Sequence, residues 1–231
     1  MRFRTVLFDL DGTLLDHLPA IHRSYVHTLP RLGLPAPTPE QVKRAIGGGL
    51  ENALLKFIPE ARLSEALAIY RPFWDATLLT GADPMPGAMQ LLEKLTAAGV
   101  TCAVFTNKHG PSARSVCAHL GFTPFLREII GAKDTPWLKP EPAFSHHALE
   151  KLNATAASTC LVGDSPWDVQ AAHNAGFPCY VVTTGTHTAD ELRAAGADAV
   201  YENLTALAST EFNLTQPADD PTPARPPAPA H

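Results

Sequence analysis

Short apolar runs separated by amphipathic stretches set the frame of this chain. Val6-Leu7-Phe8 ends at Asp9, Val100 to Phe105 ends at Thr106-Asn107, and Ile129-Ile130 ends at Gly131. Thr159 to Val162 ends at Gly163-Asp164, and Cys179 to Val182 ends near Thr183. Runs this short and this continuously apolar predict strands buried on both faces. Between them the spacing becomes helical: Met89, Leu92, Leu95 and Ala98 share a face, behind Pro86-Gly87 and ahead of Gly99. The alternation predicts an α/β fold, a doubly wound parallel sheet of Rossmann-like type with right-handed crossovers.

One region breaks the alternation. From about Asp16 to Asp83 no strand pattern is convincing, and the periodicity is that of amphipathic helices. Ile21, Tyr25, Leu29 and Leu32 share one face, as do Leu63, Leu67 and Tyr70. Pro35-Ala36-Pro37, Gly47-Gly48-Gly49 and Pro59 punctuate the segment. This predicts a small all-helical cap over residues 16–83, inserted after the first strand of a core formed by 1–15 and 84–213. Its hinges would be Asp16-His17 and Gly81 to Pro86. Residues 214–231 hold Pro217, Pro221, Pro223, Pro226, Pro227 and Pro229 and almost no large apolar side chain, which predicts a disordered Pro-rich tail.

Composition narrows the class. The 231 residues are 45% hydrophobic and 18% charged, enough apolar content for a folded core. Lys+Arg 18 against Asp+Glu 23 gives a net charge of −5 with no basic run, which argues against nucleic-acid or anionic-membrane partners. No stretch approaches the ~20 apolar residues of a membrane span, and the N-terminus runs directly into the first strand pattern without a signal-peptide layout. Cys102, Cys117, Cys160 and Cys179 form no Cys-x-x-Cys pair. They read as reduced, buried thiols, so a cytoplasmic protein is expected, as a monomer or homodimer.

The polar residues that end the strands carry the chemistry. Ligands of doubly wound sheets bind at the carboxyl ends of the strands. Asp9 and Asp11, Thr106 and Asn107, and Asp164 and Asp168 all fall there. Four converging carboxylates repel one another unless a cation joins them, and Mg²⁺ with oxygen ligands is the natural one. The set suits phosphoryl transfer. Asp9 would be the nucleophile and Asp11 the acid and base. Thr106, Asn107 and nearby backbone N–H groups would hold phosphate oxygens, and Lys139 would neutralise charge. Asp164 and Asp168, four residues apart, would share a helix face toward the metal. Gly47, Gly48 and Gly49 read equally as a helix break or a substrate loop. His17, His22 and His27 are five apart and share no helix face, although His17 could line the cleft. Trp137 and Trp167 read as packing walls.

Asp9-Leu10-Asp11-Gly12-Thr13, Thr106-Asn107-Lys108, Lys139-Pro140-Glu141-Pro142 and Gly163-Asp164-Ser165-Pro166-Trp167-Asp168 stand in this order along the chain. They resemble the four motifs of the haloacid dehalogenase superfamily, over residues about 3 to 205. Thr106-Asn107-Lys108 and Ile46-Gly47-Gly48-Gly49 are most similar to its phosphoglycolate phosphatase branch. The resemblance implies the superfamily's core with a helical cap, Mg²⁺ dependence, and the Asp11 backbone carbonyl as a further metal ligand. It also implies a small phosphorylated metabolite as substrate, and Gly47 to Leu50 as the part that selects it. Asp11 disfavours a dehalogenase, which needs no acid for a halide. A sugar-phosphate mutase of the β-phosphoglucomutase kind is the alternative within the superfamily. A non-catalytic phosphoacceptor or interaction module is the alternative outside it.

Overall fold

The computed structural model describes residues 2–214, so the tail expected at 214–231 lies outside the described residues except for Leu214. The chain opens with β1 (Thr5–Phe8), whose four residues are all buried, and β2 (Leu15–Asp16). Four helices follow: α1 (Leu18–Arg31), α2 (Pro39–Lys43), α3 (Leu50–Leu54) and α4 (Leu63–Thr77). Thr38 caps α2 in a reciprocal box with Gln41, and Pro39 occupies its first turn, where a missing N–H costs nothing. Then come β3 (Asp83–Pro84), α5 (Ala88–Ala97), β4 (Thr101–His109), α6 (Gly110–His119), β5 (Glu128–Ala132) and α7 (Pro142–Lys151). The chain continues with β6 (Thr159–Gly163), α8 (Pro166–Asn174), β7 (Cys179–Val182), α9 (Ala189–Ala194), β8 (Ala199–Tyr201) and α10 (Leu204–Glu211).

Six strands form one sheet in the order β5-β4-β1-β6-β7-β8, and every neighbouring pair is parallel. Helices cover both faces because successive strand residues point to opposite sides. Val6 and Phe8, Cys102 and Val104, and Cys160 and Val162 pack with α5, α6 and α10. Leu7, Ala103, Phe105 and Leu161 pack on the other face with Phe144 and Ala148 of α7, Val169 and Ala172 of α8, and Leu192 of α9. The chain winds from β1 toward β5 and then returns to the far side of β1 for β6. The switch point of the sheet therefore lies between β1 and β6.

Between β2 and β3 the chain is helical, as its periodicity predicts. Tyr25, Leu29, Tyr70 and Trp74 bury themselves between α1 and α4. Two details differ from expectation. The strand read as ending before Thr106-Asn107 continues to His109, because His109 still pairs with Ala132 across a register shift after Phe105. The three-residue edge strand β8 has no counterpart in the sequence reading. Its apolar run Ala199-Val200-Tyr201 is short, and all three residues are half-buried at the sheet edge.

Candidate active site

Asp9 follows β1 directly, and its N–H still donates to Val162 O at 2.9 Å. Asp164 follows β6, the strand beside it, so the switch point sets these two carboxylates side by side. Asp168 arrives from the first turn of α8, where Pro166 and the Ser165 cap start the helix. One oxygen of each of Asp9, Asp164 and Asp168 lies within 4.8 Å of the others, and all three residues are buried. Lys139, buried as well, places its Nζ 2.7 Å from Asp9 Oδ1 and 2.6 Å from Asp168 Oδ1.

The second oxygen of Asp168 is saturated. It accepts from Asp164 N at 3.2 Å, Ser165 N at 3.0 Å and Ser165 Oγ at 2.6 Å. Asp164 Oδ2 accepts from Thr186 N at 2.9 Å and faces its hydroxyl at 3.3 Å. Two glycines make room for these carboxylates. A Cβ on Gly163 would meet Asp168 Cγ at 2.3 Å, and one on Gly185 would meet Asp164 Oδ2 at 1.8 Å.

The electrostatics are those of a group short of positive charge. Burial pushes the Asp9 carboxyl up to about 6; Lys139 pulls it down, while Asp168 and Asp11 add to the rise. Burial and then the charges of Asp9 and Asp168 hold Asp164 well above the usual carboxylate range. Burial also opposes the charge on Lys139, but Asp168 and Asp9 outweigh it and hold the ammonium above its ordinary range. Three carboxylates around one ammonium leave an excess of buried negative charge. An all-oxygen donor set in that condition fits a hard divalent cation.

Asp11 departs from the expected group of four. Lys108 Nζ reaches its Oδ1 and Oδ2 at 2.9 Å each, and His17 Nδ1 stands 3.5 Å from Oδ1. Its side chain faces His17 of the helical insert, and Gly12, whose φ is +90°, turns the chain immediately after it. Burial disfavours its charge, yet the Lys108 ammonium outweighs burial and holds Asp11 below the usual range.

The remaining candidates meet around one cavity of about 260 Å³, lined among others by Asp9, Asp11, Gly47, Gly49, Thr106, Asn107, Lys139 and Asp164. Gly48 and Asp168 sit behind its wall. Asn107 Oδ1 accepts from Lys139 N at 2.8 Å, and its Nδ2 donates to Lys139 O and Gly47 O at 3.0 Å each. Its amide thus clamps the Lys139 loop and the glycine loop, so only its backbone would remain for a phosphate. The Thr106 hydroxyl accepts from Lys108 N at 3.2 Å. Trp167 floors the glycine loop: a Cβ on Gly47 would approach its ring to 2.9 Å and one on Gly48 to 3.2 Å. Trp137, by contrast, packs with the core on the α7–α9 face. The sequence reading did not assign parts to Lys108, Trp74, Thr186 or Ser165. Of these, Lys108 and Ser165 carried a signal, each as the third residue of its motif.

Residues 6–182 match the model of the haloacid dehalogenase-like hydrolases. A phosphoglycolate phosphatase of Rhodospirillum rubrum is 32% identical, the match covering 94% of each chain. A plasmid-encoded phosphoglycolate phosphatase of Cupriavidus necator is 33% identical over 87% of this chain and 90% of its own. Among solved structures, a predicted phosphoglycolate phosphatase from Haemophilus somnus superposes with a TM-score of 0.83 at 24% identity, covering 93% of this chain and 99% of that one. The chain therefore belongs to the haloacid dehalogenase-like hydrolases. Within them it stands with the phosphoglycolate phosphatase-like enzymes, and it is a phosphatase. No helix among the described residues is long and apolar enough to cross a membrane.

Proposed function

We propose that the chain hydrolyses a small phosphomonoester, 2-phosphoglycolate or a close analogue, through an aspartyl-phosphate on Asp9. The observation that carries this reading is the pairing of Asp9 with Lys139 at the floor of the cavity, one carboxylate oxygen gripped at 2.7 Å. The other oxygen attacks phosphorus in line and the ester P–O bond breaks; Asp11, ionised beside Lys108 at rest, takes up a proton from solvent as the dianionic ester binds and gives it to the leaving oxygen. Asp11 then takes a proton from water as that water attacks the phosphoryl group, releasing phosphate and restoring Asp9. Lys139 holds Asp9 in place and offsets negative charge, and Thr106 with nearby N–H groups steadies the phosphate. Asp9 and Asp164, with Asp168 behind them and the Asp11 carbonyl, would hold Mg²⁺. Bound there, the ion supplies positive charge to the phosphoryl oxygens.

Residues 16–83 act as the cap over the core, with Gly47 to Gly49 toward the leaving group. The relatives' names support 2-phosphoglycolate as the first substrate to try. The four cysteines are free and buried, which supports a reducing compartment, the cytoplasm. The test is phosphate release from a panel containing 2-phosphoglycolate, nucleoside monophosphates and sugar phosphates, with Mg²⁺, with EDTA, and with Asp9→Asn. Release that requires both Mg²⁺ and Asp9 is expected. A phosphoenzyme that persists in water and turns over only with a bisphosphate would overturn the reading in favour of a mutase.

A further inference from the structure

The two connections between the helical insert and the core meet on one imidazole. His17, just after β2, is buried at 1% exposure. Its Nε2 lies 2.6 Å from the carbonyl of Leu78, which follows α4 on the return path. Its Nδ1 lies 3.0 Å from Lys108 Nζ. A carbonyl can only accept and an ammonium can only donate, so Nε2 carries the ring hydrogen and Nδ1 presents its lone pair. Lys108 spends its other two hydrogens on Asp11 Oδ1 and Oδ2, each at 2.9 Å. With three hydrogens and three acceptors, the ammonium is fully used. Trp74 closes the group from α4, its ring 5.0 Å from the imidazole and 4.8 Å from Lys108 Nζ. The indole is itself fixed, donating to Ser112 Oγ at 3.1 Å.

We propose that His17 is a positioning residue for the acid–base step. Its lone pair fixes Lys108, and Lys108 in turn fixes the Asp11 carboxylate. The inference rests on the proposed role of Asp11. The Nδ1–Asp11 distance of 3.5 Å is a contact without a shared proton, because Nδ1 is bare, so His17 acts through Lys108. A lysine is a point charge on a flexible four-carbon stem. Deprived of its third acceptor inside a closed pocket, Nζ turns elsewhere and draws Asp11 off the line to the leaving oxygen. Because the imidazole also holds the Leu78 carbonyl, the hinge of the insert and the acid share one support. The cap's position is thereby felt at the acid, which ties proton delivery to closure.

Two substitutions separate this role from a merely structural one. His17→Gln puts an amide N–H near the Nε2 position and keeps the Leu78 bond, but places no acceptor at the Nδ1 position that Lys108 uses. His17→Asn puts a carbonyl oxygen near the Nδ1 position, keeping Lys108 and losing Leu78. Each is assayed with an alkyl phosphomonoester at steady state, and with p-nitrophenyl phosphate in a pre-steady-state burst. The nitrophenolate leaves without a proton. In His17→Gln, alkyl-ester kcat is expected to fall at least about tenfold, part of the 10²–10⁴-fold a positioned acid supplies. KM and the nitrophenolate burst should stay within about threefold of wild type on the same reasoning. His17→Asn should restore most of the alkyl-ester kcat. Loss in Asn with retention in Gln, equal behaviour of the two variants, or a burst that falls as far as turnover would each overturn the proposal. Asp9→Asn is run alongside. If wild type shows no Asp9-dependent release, the underlying phosphatase reading fails, an outcome distinct from all of these.

Discussion

Replacing Lys139 by methionine keeps the length of the side chain and removes the ammonium that Asp9 and Asp168 share at 2.7 and 2.6 Å. Breaking a buried ion pair on one side costs about 3–5 kcal/mol, because a charge is left uncompensated. Asp168 keeps three donors on its other oxygen, so the loss falls chiefly on Asp9. Asp9 can relieve it by taking up a proton, which places the expectation at the lower end, about 3 kcal/mol at pH 7 without metal. For a chain of this size each kcal/mol moves the midpoint by about 2–4 °C, so Tm should drop by about 6–12 °C. The assay is thermal unfolding in EDTA at pH 7 and pH 5, then with Mg²⁺. The deficit should shrink at pH 5, where Asp9 protonates, and Mg²⁺ should stabilise the variant more than wild type, since its site is more negative. A Lys139→Met protein that melts within about 2 °C of wild type in EDTA at pH 7 would refute the charge-balance argument.

Asp9, raised from 3.8 to about 6 in the fold, binds its proton more tightly folded than unfolded. Metal-free stability from this group is therefore full below about pH 4, falls as pH rises to about 6, and is level above, for a total of about 3 kcal/mol. Urea unfolding of Asp9→Asn against wild type isolates it: the variant's advantage should grow across that window, and a flat difference would count against the shift. Asn107→Ala removes the bonds to Lys139 N, Lys139 O and Gly47 O. At about 0.5–1.5 kcal/mol each, it should lose about 2–3 kcal/mol in urea unfolding. Gly47→Ala combines a φ of +122° with a Cβ 2.9 Å from Trp167. It should raise KM, as about 1–3 kcal/mol of strain would imply, with partial relief in the double variant with Trp167→Ala.

Much of this was legible because strand ends and site residues coincide in the sequence. Val6-Leu7-Phe8 running into Asp9, and Thr159 to Val162 running into Gly163-Asp164, marked the strands and their chemistry at once. Their adjacency follows from the winding of the sheet. Long-range pairings were hidden. Lys108 and Asp11 are 97 residues apart, and His17 and Leu78 are 61 apart. No local pattern tells a lysine which carboxylate it will meet. Asp11 reads with the carboxylates at the strand ends, whereas its side chain pairs with Lys108 and stands beside His17. Asn107 reads as a phosphate ligand from its place beside Thr106 at a strand end. Its use as a clamp depends on Gly47 and Lys139, which only the folded chain brings to it. β8 was missed although Ala199-Val200-Tyr201 is apolar, because the run is short and no site residue follows it.

Leu15 and Pro84 lie opposite each other in the antiparallel pair of β2 and β3, as do Asp16 and Asp83. The helical insert therefore leaves the core and re-enters it through the same doorway. To the core, the whole of residues 17–82 is topologically a hairpin loop, and a turn of a few residues could join the same two ends without redirecting β1 or α5. Evolution can lengthen, shorten or exchange such an insert without re-solving the folding of the sheet. Chimeras exchanged at residues 16 and 83 would leave Asp9 and Lys139 in place but remove His17, Trp74 and Leu78, so an incoming insert would have to bring its own support for Lys108.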